Sequence, residues 1–283
     1  MIEAIQALAK RFFVIPYLIL CGMASIHAAW QLWTADTFSV PWLGAYIAVT
    51  PVLVFVPLLY LLPLVYATPY IFVQLGAAML GALLVVIELE PLPTLYGLVL
   101  GLGGVFTYVF WYSFLDRGDN PLLRIGRPLP GFTLSDAEGR DVHSTAFLGK
   151  KTVFVFYRGS WCPLCRTQLR DFLHSSAEFA EKGVQLVLVG PQPSAMGTRL
   201  LSEHGVQAQI LFDRDLSAAR TLGIEHRNGV PFGVWWSESP NTVLPSLLYV
   251  DESGVIRYTD LPENFRAGPR PGPFLKALEG CCQ

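Results

Sequence analysis

The sequence predicts two parts of different class: an all-α membrane domain of about four transmembrane helices, then a three-layer α/β sandwich. Three observations carry this. From Phe12 to Leu115 the only charged residues are Asp36, Glu88 and Glu90. From Asp116 to Gln283 there are 18 basic and 18 acidic residues. In that second stretch, short β-branched and aromatic runs alternate with segments of helical periodicity. Over all 283 residues the chain is 52% hydrophobic and 15% charged, with a mean hydropathy of +0.43. Such a composition excludes a disordered, collagen-like or disulfide-scaffold protein. A net charge of -2 offers a nucleic acid no electrostatic footprint.

The bilayer core is about 30 Å thick, so a spanning helix needs about 20 mostly apolar residues. Phe12–Leu32 is the first candidate, and polar Trp33–Pro41 follows it. Trp42–Ile87 is too long for one span. Division near Pro63–Pro69 gives Trp42–Leu62 and Thr68–Ile87, and Thr94–Leu115 is the last span. The transmembrane domain is thus residues 1–115. Lys10 and Arg11 flank its first span, and Arg117, Arg124 and Arg127 follow its last. Four spans with basic flanks place both termini in the cytoplasm, as in a bacterial inner-membrane protein. A single crossing by Trp42–Ile87 would make three spans and put the soluble part outside. The region Cys21–Trp30 lacks a small-x-small cleavage site, so the first span reads as an anchor. His27 within it is expected near the headgroups beside Trp30 and Trp33.

Residues 116–130, rich in Gly, Pro and Arg, read as a linker, and 131–283 as the soluble domain. Phe132–Leu134 and Asp141–His143 flank the hairpin turn Asp136–Gly139. Lys151–Phe156 is a buried strand, Pro163–Lys182 a helix stopped by Gly183, and Val184–Val189 a second strand. Ala195–His204 is a helix, Val206–Phe212 a strand and Leu216–Leu222 a helix. Leu247–Val250 and Val255–Tyr258 flank another hairpin turn, and Pro273–Glu279 is a closing helix.

The chemistry sits in Phe156-Tyr-Arg-Gly-Ser-Trp-Cys162-Pro-Leu-Cys165. This places Cys-x-x-Cys after a buried strand and at a helix start. Unpaired N–H groups and the helix dipole there favour thiolate, the nucleophilic form of cysteine. Two intervening residues let the second thiol close a disulfide on the first. Cys162 is the candidate nucleophile and Cys165 the resolving thiol; no metal and no organic cofactor is required. Zinc would need a second ligand pair, available only from Cys281 and Cys282 or from scattered histidines. Arg158 has two readings, a positive charge beside the thiolate or an exposed loop charge. Trp161 and Tyr157 read as rim and packing residues, and Ser160 as a possible donor to an oxygen-bearing substrate.

The soluble part resembles the alkyl hydroperoxide reductase/thiol-specific antioxidant family, a peroxiredoxin-like branch of the thioredoxin superfamily. The resemblance rests on Gly126-Arg-Pro-Leu-Pro-Gly-Phe-Thr-Leu-Ser-Asp, the Cys-x-x-Cys run, Phe212-Asp-Arg-Asp-Leu-Ser-Ala-Ala-Arg-Thr-Leu-Gly-Ile and Tyr249-Val-Asp-Glu-Ser-Gly-Val-Ile. It covers about Gly126–Glu279 and none of the membrane part. It implies a thioredoxin fold that reduces peroxides or disulfides, with a thioredoxin-like or low-molecular-weight thiol as electron donor. Peroxiredoxins proper carry Pro-x-x-x-Thr-x-x-Cys. Read back from Cys162 those positions are Val155 and Gly159, and from Cys165 they are Arg158 and Cys162. Pro245 stands where the family has an arginine and resembles the cis-proline with which thioredoxins dock substrate. The position of thioredoxin's buried acid is Phe156.

The expected function is therefore a membrane-anchored, thiol-dependent oxidoreductase acting on peroxides or disulfides, its partners a thiol donor and the lipid bilayer. Protein disulfide exchange is one alternative. A Cu- or Zn-handling module that uses Cys162, Cys165 and a histidine is another.

Overall fold

A computed structural model describes residues 2–61, 71–193, 208–234 and 239–280. The chain divides into two compact units, one of residues 1–114 with 231–236, the other of 115–230 with 237–283.

In the first unit, α1 (Ile2–Arg11) precedes α2 (Val14–Thr34), α3 (Val40–Leu61), α4 (Phe72–Val85) and α5 (Pro91–Tyr112). The sequence reading missed α1, an amphipathic helix with Ile5 and Leu8 exposed. Its Lys10 turns inward, donating from Nζ to the Phe114 carbonyl at 2.7 Å. Ala4–Thr34 and Pro91–Tyr112 are long and apolar enough to cross a bilayer, whereas Phe72–Val85 is shorter than a span requires. The expected break at Pro63–Pro69 lies outside the described residues. Pro51 and Pro57 sit inside α3. Small residues bring the helices close: a Cβ on Gly81 would collide with the Gly44 carbonyl and with Ala48. His27 joins a polar cluster, its Nδ1 at 3.0 Å from the Tyr96 hydroxyl and its Nε2 at 3.2 Å from Gln31 Nε2. Its ring meets Trp42 edge-on, while Trp30 and Trp33 are exposed.

The second unit carries a seven-stranded mixed sheet. Its strands are β1 (Thr133–Ser135), β2 (Asp141–His143), β3 (Lys151–Phe156), β4 (Val184–Gly190), β5 (Ala208–Phe212), β8 (Ser246–Val250) and β9 (Ile256–Asp260). The sheet order is β2-β1-β5-β4-β3-β8-β9. β3, β4 and β5 run parallel, while β8 runs antiparallel to β3. A separate pair, β6 (Glu225–His226) with β7 (Thr242–Val243), was not expected. Its two-residue strands are too short to show a period in sequence.

The period of two along each central strand feeds two cores. Phe154 and Phe156 on β3, Val187 and Val189 on β4, and Leu248 and Val250 on β8 share one core with Phe132, Phe147 and α8 (Ser217–Thr221). The alternate residues are covered by the helices α6 (Pro163–His174), α7 (Ser176–Glu181) and α9 (Pro271–Gly280). On that side Phe274 packs against Phe179, Tyr249 and Tyr258. The single helix expected over Pro163–Lys182 is two, broken at Ser175, and the Ser176 hydroxyl donates to the Leu173 carbonyl at 2.7 Å. A serine that bonds its own backbone competes with the helical ladder. The helix expected at Ala195–His204 lies outside the described residues.

Residues 116–130 pack on the second unit rather than leading freely into it. Leu123 is buried, the Leu115 N–H donates to the Glu263 carbonyl at 2.7 Å, and Pro128 bridges to Val255. The Asn120 side chain accepts from the Leu122 N–H, closing a turn of 3-10 helix.

Candidate active site

β3 lies between β4 and β8, and its register delivers the loop that carries the Cys-x-x-Cys pair. Phe156 pairs with Val189 on one side and Ser246 on the other, and the next N–H, of Tyr157, still bonds the Val189 carbonyl at 3.0 Å. The chain then turns through Gly159, at φ +142°, where a Cβ would lie 2.7 Å from the Trp161 indole nitrogen. Only glycine fits there. Cys162 follows as the N-cap of α6 in an extended conformation, with Pro163 in the first turn. Its carbonyl accepts from the Cys165 N–H at 3.1 Å and the Arg166 N–H at 3.4 Å.

Both sulfurs are reduced, and each cysteine is only 3% exposed. The Cys165 thiol donates to Cys162, holding the latter's pKa well below the thiol range, at about 6. Burial opposes this; Arg158 and the backbone N–H groups of Cys165 and Leu164 reinforce it. The proton of the pair stays on Cys165, whose own pKa is pushed up by its bond to Cys162 and by burial. Arg158 lowers the pKa of both sulfurs, so what separates them is the direction of the hydrogen bond between the two thiols.

Arg158 is 4% exposed, so the reading of it as a surface charge does not hold. Its Nη2 donates to the Gly229 carbonyl at 2.6 Å, and its own carbonyl accepts from the Thr242 hydroxyl. The guanidinium lies between two rings, 5.0 Å from the centroid of Trp161 and 4.6 Å from that of Phe265. Trp161 is half-buried, acting as one wall of this cage rather than as a rim alone. Gly229, Thr242 and Phe265 were missed in the sequence. They carry no motif, and the first two lie 71 and 84 positions from Arg158. Ser160 is half-buried at the turn before Trp161. Tyr157 is buried, as expected of a packing residue.

Pro245 needs a correction. There is no cis peptide bond among the described residues, so the Leu244–Pro245 bond is trans. A proline ring fixes φ but leaves both peptide isomers accessible. The proline still sits beside the active-site end of β3, one residue before Ser246, and its carbonyl accepts from Arg117 Nη2 at 2.8 Å. Phe156, at the acid's position, is fully buried. Among the described residues no three His, Cys, Asp or Glu side chains gather as a metal site. His143 is engaged with Thr133 at 2.8 Å. The metal-handling alternative therefore lacks a third ligand among them.

Residues 125–259 match the model of the AhpC/TSA family. This part of the chain is an AhpC/TSA family domain. The helical residues before it lie outside the match. The thiol-disulfide oxidoreductase ResA of Halalkalibacterium halodurans is 28% identical over 118 residues, 41% of this chain and 65% of that protein. A putative peroxiredoxin of Mycobacterium tuberculosis is 25% identical over 131 residues, 46% of this chain and 80% of its own. Among solved structures, AhpC of Enterococcus faecalis aligns over 56% of this chain and 92% of its own, with 19% identity and a TM-score of 0.44.

The low pKa of Cys162 has a direct kinetic expression in the AhpC/TSA domain. Because only the thiolate is alkylated, the rate constant of Cys162 with iodoacetamide should rise through pH 5 to 7, reach half its plateau near pH 6, and flatten above. A free thiol would reach half its plateau only at about pH 8.5. A midpoint above pH 8 would show that neither the Cys165 bond nor Arg158 stabilises the thiolate.

Proposed function

We propose that this protein is a thiol oxidoreductase anchored in a membrane by its N-terminal helices, and that Cys162 and Cys165 cycle between dithiol and disulfide to reduce hydroperoxides. One observation carries the reading: a buried cysteine at the cap of α6, hydrogen-bonded by a second cysteine and faced by a buried arginine. The Cys162 thiolate attacks the terminal peroxide oxygen; the O–O bond breaks, and the leaving alkoxide takes a proton and departs as an alcohol or water. Cys162 is then a sulfenic acid. The Cys165 sulfur attacks it, water leaves, and a disulfide closes. Two electrons from an external thiol restore the pair. The cation of Arg158 would stabilise the charge that passes from sulfur to the leaving oxygen. Ser160 is the proposed hydroxyl donor to that oxygen.

Disulfide exchange is the second reading, supported by the similarity to ResA. In it Cys162 forms a mixed disulfide with the substrate and Cys165 releases it, with the Pro245 backbone as the docking edge.

Membrane anchoring is supported by the lengths of Ala4–Thr34 and Pro91–Tyr112, about 46 and 33 Å at 1.5 Å per residue. The basic flanks favour a cytoplasmic redox domain, and three spans would reverse it.

The test is stopped-flow Trp fluorescence of the reduced full chain in detergent micelles, mixed with hydrogen peroxide, beside an insulin-disulfide reduction assay. Fast oxidation that depends on Cys162 is expected. Sluggish oxidation with brisk insulin reduction would replace the peroxidase with the disulfide reductase. A fragment starting at Gly118 is a poor substitute, because it would lose buried Leu115 and the Arg117 bonds to Pro245 and Ser246.

A further inference from the structure

Reduction of a protein disulfide needs backbone on which an extended peptide can lie, and a strand edge offers that only through unpaired N–H and C=O groups. At Leu244 and Pro245 these groups are spent. The Leu244 N–H donates to the Ile224 carbonyl at 2.7 Å, and the Leu244 carbonyl accepts from the Ser246 hydroxyl at 2.8 Å. Pro245 has no N–H to give, and its carbonyl accepts from Arg117 Nη2 at 2.8 Å. The same nitrogen donates to Ser246 Oγ at 3.1 Å. One guanidinium thus holds the Pro245 carbonyl directly and the Leu244 carbonyl through the serine. To either side the strand is paired, Thr242 and Val243 with His226 and Glu225, and Ser246 with Phe156. Leu244, Pro245 and Ser246 are buried, as are Cys162 and Cys165. Arg117 precedes residues 125–259, so this closure is supplied from outside the AhpC/TSA match.

We propose that Arg117 is a specificity-determining residue that closes the Pro245 edge, so that the dithiol takes low-molecular-weight oxidants, hydroperoxides and small disulfides, and turns away disulfides carried on extended peptide. The proposal rests on the dithiol/disulfide cycle above and names its substrate class. A small disulfide needs no backbone partner. The Cys162 thiolate attacks one of its sulfurs, the S–S bond breaks, and one thiolate leaves and takes a proton. Cys165 gives up its proton and attacks the Cys162 sulfur of the mixed disulfide. The second thiol leaves, and the Cys162–Cys165 disulfide closes. The pair has lost two electrons and the substrate has gained them. A peptide disulfide undergoes the same exchange but must bring its chain to a buried sulfur. There its own N–H and C=O groups lose water without gaining partners, which disfavours it.

The experiment mixes the reduced full chain, in detergent micelles and freed of reductant, with one of two oxidants. One is 2-hydroxyethyl disulfide; the other is a short linear peptide whose one cysteine is blocked by 2-mercaptoethanol. Both carry the same small thiol, and their rates with dithiothreitol correct for intrinsic reactivity. Acid quench, differential alkylation and mass spectrometry follow the Cys162–Cys165 disulfide with time. After correction, the small disulfide should oxidise the wild-type pair roughly tenfold faster or more. Arg117→Ala frees both carbonyls. It should speed the peptide reaction by roughly five- to tenfold, the scale of the hydrogen bonds that freed carbonyls accept, and leave the small-disulfide rate within about twofold. Arg117→Lys keeps a donor for the Pro245 carbonyl and should stay near wild type. Equal corrected rates in the wild type overturn the proposal. So does an Arg117→Ala protein whose peptide rate is unchanged, or whose two rates rise alike. If Arg117→Ala fails to fold, Ser246→Ala takes its place by freeing the Leu244 carbonyl. A peptide rate raised about threefold or more, with the small-disulfide rate unchanged, then supports the proposal, and an unchanged peptide rate overturns it. Failure of the cycle itself reads differently. A wild-type pair inert to hydrogen peroxide, small disulfide and peptide alike removes the dithiol chemistry and this specificity with it, whereas ready oxidation by all three removes the specificity alone.

Discussion

Cys162→Ser is expected to abolish turnover, by roughly 10³-fold or more, the scale on which removal of a nucleophile acts in covalent catalysis. Cys165→Ser should behave differently and so separate the two roles. The serine hydroxyl can still donate to Cys162, so the thiolate keeps that support. The first step still occurs, but the product is trapped as sulfenic acid or as a mixed disulfide with the donor. Mass spectrometry of the peroxide-treated variants checks this directly. A single added oxygen on Cys162 in Cys165→Ser, and none on Cys165 in Cys162→Ser, is the expected pattern. Oxidation of Cys165 in the Cys162→Ser protein at the wild-type rate would reverse the assignment of nucleophile. Neither substitution should unfold the domain, because serine is close to cysteine in size; at Cys162 it also takes a helix N-cap, a position it favours, and at Cys165 it falls in the first turn of α6.

The two cysteines were legible because their chemistry is local. A buried strand, a turn and a helix start fall within ten residues, and the motif is read without tertiary knowledge. Arg158 was half legible. Arg158 is two residues from Phe156 and four from Cys162, yet whether it faces solvent or the interior is decided by Gly229, Thr242 and Phe265. No local pattern marks those as partners. The central strands β3 and β4 and the hairpin β8–β9 followed from β-branched runs and Asp-x-x-Gly turns. The α6–α7 break did not, since apolar periodicity runs on through Phe172 and Phe179, which stack at 6.2 Å across it. Composition misled at 116–130. Gly, Pro and Arg suggested a free linker, but Leu123 is buried and the backbone there pairs with Ile256 and Gly254. In the helical unit, apolar length located α2 to α5. The α1 helix was passed over because its few charges hid the Ile5 and Leu8 face.

Phe154→Ala is the substitution expected to cost the most stability. The ring is fully buried at the middle of β3, edge-on to Phe147 at 5.0 Å and to Phe132 at 5.7 Å. Phe154 also pairs with Val187 and Leu248 across the two neighbouring strands. Truncating such a ring removes its transfer energy and leaves a cavity that three strands and two aromatic rings cannot collapse into, a loss of about 3–5 kcal/mol. A domain typically has only about 5–15 kcal/mol to lose. Urea unfolding followed by Trp fluorescence on the full chain in micelles should therefore show a lower midpoint with little change in slope. The effect on the site follows from β3 itself. It ends two residues before Arg158 and six before Cys162, so a frayed β3 loosens the Tyr157 bond to Val189 and with it the loop that presents both groups. At low temperature, where the variant is folded, alkylation of Cys162 should keep its midpoint near pH 6. A midpoint moved toward that of a free thiol while the domain remains folded would mean that the Phe154 core holds Arg158 and Cys162 in place, beyond supporting the sheet.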